Sequence, residues 1–430
     1  MTKKLLIISI DALGAKNIIE QIDYLPTIKS LLTNGTWVKE IAEVYPSLTY
    51  PSHTTIVTGV YPNKHGIINN TKKQMNRRSP DWYWYSKDVK VTTLYEAARQ
   101  KRLKTAAFLW PVTAGSNINY NIAEIFPNRI WTNQVLTSLK ASTPYFMYQM
   151  NRKFGHLRQG IKQPYLDDFV TACAVDTIKT KKPDLTMIHL VDLDSMYHAY
   201  GVESEQAYNA LLRQDKRILQ LLSALDDAGM RDETNIVILG DHYQIDVHTM
   251  IRINSLFTQK GWMTKTKNEL PPRNASLYAK STDGSCYIYA DSKNRVDEDT
   301  ILAALKTIKG IEKIYLPPDI QRMGADTNAL FMLEAKSGYY FIDEANGHII
   351  EEVNQADIGK PDRYRAVHGY HPTKPEYATT LIFNGPDIKS GHVIPKAKLI
   401  DEAPTFAELL GITDFSNHVD GSVIKGIFKQ

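Results

Sequence analysis

KLLIISIDALG, residues 4–14, carries an apolar run, LLIISI, that stops at Asp11. A continuous run of this kind, without apolar/polar alternation, is what a strand buried on both faces shows. The run is too short for a signal peptide and no small-residue cleavage site follows it. Residues 4–10 therefore read as a parallel core strand with a carboxylate at its end.

The same pattern recurs along the chain. TAAFLW (105–110), DLTMIHLV (184–191), TNIVILG (234–240) and ATTLIFNG (378–385) read as strands, with another near 37–45. Between them lie helical spacings: PTIKSLLTNG (26–35, ended by Gly35), TLYEAARQKRL (93–103), YLDDFVTACAVDTIKT (165–180), EQAYNALLRQDKRILQLLSALDDAG (205–229) and APTFAELLG (403–411). Strands alternating with helices predict an α/β fold: a mostly parallel central sheet with helices on both faces. The rhythm changes between 255 and 350, where SLYAKSTDGSCYIYA and GYYFIDEA bracket one helix, DEDTILAALKTIKG. The expected organisation is an α/β core over 1–254 and 351–430, with a smaller α+β insertion or cap at 255–350.

Composition sets broad limits. The 430 residues are 43% hydrophobic and 23% charged, which is globular composition with a sizeable core. The net charge of +4, without a basic run, suits a small anionic substrate but not binding of a nucleic-acid duplex. Two distant cysteines, Cys173 and Cys286, make no disulfide framework and read as buried thiols in a reducing compartment. No segment approaches the roughly 18 apolar residues of a membrane span. The expected location is cytoplasmic.

Polar residues gather just after the strands. In open α/β sheets ligands bind outside the carboxyl ends of the strands. Asp11 ends the first strand. Asp194 and His198, four apart on a helical turn, follow the strand at 184–191; Asp241 and His242 follow the strand at 234–240. His368 sits in a glycine-containing loop before the strand at 378, and Thr49 in a turn before PSHTTIVTG. One sheet edge would thus gather carboxylates, imidazoles and a hydroxyl. Any one of these alone is more often a turn former or helix cap. Together they form a donor set suited to zinc or a similar ion.

YPSLTYPSHTTIVTGVYPNKHGIINN, residues 45–70, resembles the nucleotide pyrophosphatase/phosphodiesterase family within the alkaline phosphatase superfamily. The matching positions are Thr49, Pro51, His53, Thr58-Gly59, Tyr61-Pro62, His65-Gly66-Ile67 and Asn70. The likeness runs from the first strand to DEAPTFAELLGI and is loose over 255–350. It implies an alkaline-phosphatase-like core and two divalent ions, zinc by preference. One ion would be held by Asp11, Thr49, Asp241 and His242, the other by Asp194, His198 and His368. Thr49 would be the nucleophile of a covalent phospho-threonine route, and Asn70 would bind a phosphate oxygen. His53 and His65 read as structural parts of the turn.

The sequence departs from the family pattern at VDLD, where Asp192 precedes the ligand position. It departs again at Tyr243-Gln244 after the Asp-His pair, and at HGYH, with His371 where an Asp is usual. The sulfatase branch needs Cys or Ser where TYPSH has Thr49. The implied function is hydrolysis of phosphodiester or pyrophosphate bonds in a small, nucleotide-like substrate. Alternatives are a phosphomonoesterase or phosphonoacetate-hydrolase-type enzyme of the same superfamily, and a metal-stabilised nucleotide-binding protein without turnover. Two divalent ions would be balanced by Asp11, Asp194, Asp241 and a Thr49 alkoxide, which favours a singly charged diester. Trp82, Trp84 and Trp110 could stack on a base, though packing is their commoner use.

Overall fold

The structure is a computed structural model describing residues 4–129, 133–265 and 269–429. Its central sheet contains β1 (Lys4–Ile10), β2 (Thr36–Ala42), β3 (Thr105–Phe108), β4 (Tyr120–Ile122), β5 (Leu185–Leu190), β6 (Thr234–Leu239), β7 (Thr379–Asn384) and β8 (His392–Lys398). Their spatial order is β8-β2-β7-β6-β1-β5-β3-β4. β1 lies at the middle, parallel to both β5 and β6, with Ile7 opposite Met187 on one side and Val237 on the other. β7 runs antiparallel to β6 and β2, so the mostly parallel sheet is mixed.

Alternate β1 residues explain the unbroken apolar run. Leu6, Ile8 and Ile10 enter one core, with Phe169 and Cys173 of a helix at Tyr165–Lys181 and Leu211, Ile218 and Leu225 of a long helix at Glu205–Asp227. Leu5 and Ile7 enter the other core, with Ile56 of α1 (Thr49–Thr58) and Phe406 of a helix at Glu402–Leu409. Helices therefore cover both faces. Each fully buried apolar side chain contributes on the order of 1.5–3 kcal/mol. The long helix starts at Ser204, whose side chain accepts the Ala207 N–H, and gives way at Gly229 with φ +65°.

Between β6 and β7 the chain leaves the central sheet. Ile245–Ile251 pairs with Gly338–Phe341 and Ile350–Glu352, and its first residues pair with Ala366–Val367. A separate antiparallel sheet holds Ile311–Tyr315, Phe331–Ala335, Ser285–Ala290 and Leu277–Thr282, in that order. Both cysteines are buried and free. Among the described residues no helix is long and apolar enough to cross a membrane.

Candidate metal centre

The carboxyl edge of the sheet brings the polar residues together. Asp11 follows β1, and its N–H donates to Leu190 O at the end of β5. Asp241 and His242 follow β6 after Gly240. A Cβ on Gly240 would stand 2.0 Å from Leu13 O, so only glycine lets the two loops touch. That contact allows the Ala12 N–H to donate to Asp241 Oδ1 at 3.2 Å. After β5 the chain enters α2 (Asp192–Tyr200), which carries Asp194 and His198 one turn apart.

Two groups of three result: Asp11, Asp241 and His242, and Asp194, His198 and His368. In each, one ligand atom per residue lies within 4.8 Å of the others. His242 Nε2 stands 3.2 Å from Asp11 Oδ1, 3.3 Å from Asp241 Oδ2 and 3.0 Å from Thr49 Oγ1. His198 Nε2 stands 3.5 Å from Asp194 Oδ1. The groups adjoin, because the His242 and His368 ring centroids are 4.2 Å apart.

Asp11 Oδ1, Asp241 Oδ2, His242 Nδ1 and His368 Nδ1 are buried without a hydrogen-bond partner among the described residues. An unsatisfied buried polar atom costs roughly 1–3 kcal/mol, and more if charged. The two carboxylate oxygens among them stand beside His242 Nε2 and fit a site that accepts a cation. The donors fit zinc: carboxylate, imidazole and a hydroxyl in one group, and three protein ligands with room for a fourth in the other.

Electrostatics agree with that use. Burial, then Asp194 and Asp241, push the Asp11 carboxyl up. Burial would also raise Asp241, but His242 and His53 outweigh it and hold the carboxyl well below the ordinary range. Burial pushes His242 and His368 down, so both imidazoles are neutral at pH 7, the form that binds metal.

Thr49 is the first residue of α1 and is buried beside His242. Asn70 is tied to the same turn, its Oδ1 accepting the Tyr50 N–H at 2.9 Å. His53 bridges the Thr49 carbonyl (2.8 Å) and Ser9 Oγ (2.9 Å), and its Nδ1 also lies 3.3 Å from Asp241 Oδ2. His65 bonds Thr55 Oγ1 and the Ile67 N–H within the turn.

The departures have physical explanations. The Asp192 carboxylate turns away and takes two bonds from Arg213 (2.7 and 2.9 Å) and one from Arg217 (2.9 Å). Tyr243 packs over Gly14, where a Cβ would be 2.4 Å from the ring. His371 stacks on Tyr315, and its N–H donates to Glu334. Gln244 does more, since its amide N–H donates to Asp194 Oδ1 and so straps one group to the other.

Sequence reasoning named Gln244 only as a departure, without this role, and missed two further supports. His189 Nε2 bonds Asp11 Oδ2 at 2.9 Å, with Nδ1 on Leu109 O at 3.1 Å. The imidazole inside the buried run MIHL was the available signal. Asp283 stands 3.6 Å from His368 Nδ1, with no sequence signal beyond its Asp-Gly turn. A cleft of about 570 Å³ opens on Asn70, His198 and His368, with Trp82 and Tyr364 in its wall. Trp84 and Trp110 are buried packing residues, Trp110 edge-on to His53.

Comparison with known proteins gives relatives among the phosphodiesterases. The chain is 27% identical over 252 residues to human ectonucleotide pyrophosphatase/phosphodiesterase family member 1, covering 56% of this chain and 23% of that protein. It is 26% identical over 249 residues to venom phosphodiesterase 2 of Crotalus adamanteus, covering 55% of this chain and 26% of that protein. The matched region thus spans about a quarter of these relatives' length. Among solved structures, human ectonucleotide pyrophosphatase/phosphodiesterase 5 superposes with a TM-score of 0.66 at 18% identity, over 96% of each chain. The murine counterpart gives 0.68 at 17% identity, over 99% of this chain and 100% of that one. These likenesses bear on the fold, which is alkaline-phosphatase-like. A family model described as type I phosphodiesterase / nucleotide pyrophosphatase matches residues 5–371, from β1 through His368 and its loop, and the chain belongs to that family.

Proposed function

We propose that the protein is a two-metal hydrolase cleaving phosphodiester or pyrophosphate bonds of nucleotide-like substrates, with Thr49 as nucleophile. The observation that carries this reading is Thr49 Oγ1, 3.0 Å from His242 Nε2, at the helix start that borders two adjoining ligand groups. Two divalent ions, zinc by the donor set, would neutralise charge on the attacking and leaving oxygens. Asp11, Asp241, His242 and Thr49 would hold one, and Asp194, His198 and His368 the other.

The chain's own residues account for the rest. Thr49 Oγ, its proton given up to water, would attack phosphorus and form one P–O bond as the bond to the leaving oxygen breaks; that oxygen takes up a proton, and water then hydrolyses the phospho-threonine, restoring the Thr49 hydroxyl. Asn70 has its carbonyl end fixed by the Tyr50 N–H, which directs its NH2 end to donate to a non-bridging oxygen. One such donor is worth roughly 3 kcal/mol in the transition state.

The cleft supports a diester over a monoester. Arg77, Arg78, Lys280, Lys360 and Arg363 line it, and each already faces a carboxylate: Asp81, Glu269, Asp343, Asp357 and Glu344. A doubly charged monoester would need a cation released from such a pair, whereas a singly charged diester needs none. A nucleotide-like substrate is in keeping with the related murine protein, an inactive form of which was solved in complex with AMP.

The test compares a nitrophenyl nucleotide diester with nitrophenyl phosphate on zinc-reconstituted protein. The diester should be strongly preferred, and Thr49→Ala should lower turnover by about a thousandfold or more. A monoester preference would move the protein to the phosphatase branch. Equal rates in parent and variant would remove Thr49 as nucleophile. Binding of nucleotide without turnover in the parent would favour the non-enzyme reading.

A further inference from the structure

Strands Leu277–Thr282 and Ser285–Ala290 form a hairpin whose turn is Asp283-Gly284, with Thr282 opposite Ser285. Asp283 has φ +60°, and Asp-Gly is a sequence suited to such a tight turn. The turn is docked onto the loop carrying His368. The Gly284 N–H donates to His368 O at 2.9 Å, and Ser285 Oγ donates to Gly369 O at 2.6 Å. No side chain fits between them: a Cβ on Gly369 would be 1.8 Å from Thr282 O, and one on Gly284 would be 2.4 Å from the Tyr370 ring.

This docking brings Asp283 Oδ2 to 3.6 Å from His368 Nδ1, a buried nitrogen without a hydrogen-bond partner. The other imidazole of the same group is already held, since His198 Nδ1 donates to Ala366 O at 2.8 Å. Metal-binding imidazoles generally give their second N–H to a carboxylate or carbonyl, which fixes the tautomer and raises basicity at the ligating nitrogen. The gap of 3.6 Å is slightly longer than a hydrogen bond and within the reach of an ion pair.

We propose that Asp283 is a positioning residue for the second ligand group: it accepts the Nδ1–H of His368 and presents Nε2 as the ligand. The peripheral antiparallel sheet then contributes to metal affinity without supplying a ligand. This rests on the two-metal reading above.

The experiment titrates Zn²⁺ into chelator-treated protein against a chromophoric chelator. Asn tolerates a positive φ, so Asp283→Asn keeps the turn while removing the charge. It should weaken one of two zinc sites about 10- to 100-fold and spare the other. His368→Ala should weaken the same site, and adding D283N to H368A should cause no further loss. Unchanged zinc binding in D283N, beside loss in H368A, would overturn the proposal, as would additive losses in the double variant. A parent whose zinc binding ignores H368A would overturn the metal reading itself, which is a separate result. Nitrogen-15 NMR of the zinc-loaded parent needs no variant: a slowly exchanging His368 Nδ1 proton is expected, and a metallated Nδ1 would refute the assignment.

Discussion

Replacing Asp11 by Asn should make the metal-free protein more stable and the zinc-loaded protein less so. Asp11 and Asp241 offer oxygens within 4.8 Å of one another, both buried. At that outer limit and an effective dielectric near 20, two ionised carboxylates repel by at least about 3.5 kcal/mol. The isosteric amide removes the repulsion. It keeps an oxygen for His189 Nε2, now 2.9 Å from Asp11 Oδ2, and gains N–H donors near the unpartnered Asp241 Oδ2. Asp11 already escapes part of the repulsion by holding its proton more tightly. The expected gain without metal is therefore about 1–3 kcal/mol. Zinc at a thousand times its dissociation constant stabilises a native protein by about 4 kcal/mol. Most of that increment should vanish in the variant, because a neutral amide is a poor replacement for a carboxylate ligand. Urea unfolding of both proteins, with chelator and with excess zinc, measures all four stabilities. The stability order should invert between the two conditions. A metal-free variant no more stable than its parent would refute the repulsion argument. A full zinc increment in the variant would remove Asp11 from the ligand set.

Three other outcomes are expected. Gln244→Met keeps volume but removes the N–H donor on Asp194, so zinc affinity at the second group should fall about tenfold, read by chelator competition. Asp192→Ala takes one carboxylate from the guanidinium of Arg217, a residue only 3% exposed, leaving it Asp168, Asp167, Gln214 Oε1 and Pro164 O, and should lower stability by about 1–3 kcal/mol, read from the urea midpoint. Burial pushes the Glu334 carboxyl from 4.5 up to about 7 against hydrogen bonds from His371, Tyr45 and Lys374. Its pKa is raised, so the folded state keeps a proton the unfolded chain has released. Stability from this group is complete below about pH 4.5 and is lost as pH rises to about 7, by up to about 3 kcal/mol. Glu334→Gln should flatten the profile over that window, and equal slopes in parent and variant would refute the assignment.

Periodicity accounts for what was legible in the sequence. LLIISI could be read because β1 has helices on both faces, so every position favours an apolar side chain. Asp11, Asp194 and Asp241 stood out because each closes or follows such a run, at the sheet edge where ligands gather. β8 was not legible: it is an edge strand containing Pro395 and Lys396, half in solvent, and needs no apolar pattern.

The supporting residues lie beyond sequence reading for a different reason. Gln244 reaches Asp194 fifty positions away, and Asp283 approaches His368 from another sheet. Neither contact follows from local spacing. Each depends on how two elements dock, and docking here is set by small residues such as Gly284 and Gly369, whose missing side chains let backbones meet. Asp192 illustrates the converse. Its position two residues before Asp194 placed it near the site, yet Arg213 and Arg217 on the neighbouring long helix draw its carboxylate away. A carboxylate facing two guanidinium groups is neutralised where it stands, whereas Asp11 and Asp241 have no Arg or Lys partner among the described residues and each leaves one buried oxygen without a hydrogen bond there. Proximity in sequence nominates ligand candidates; the counter-charge supplied by the fold separates a structural carboxylate from one available to a cation.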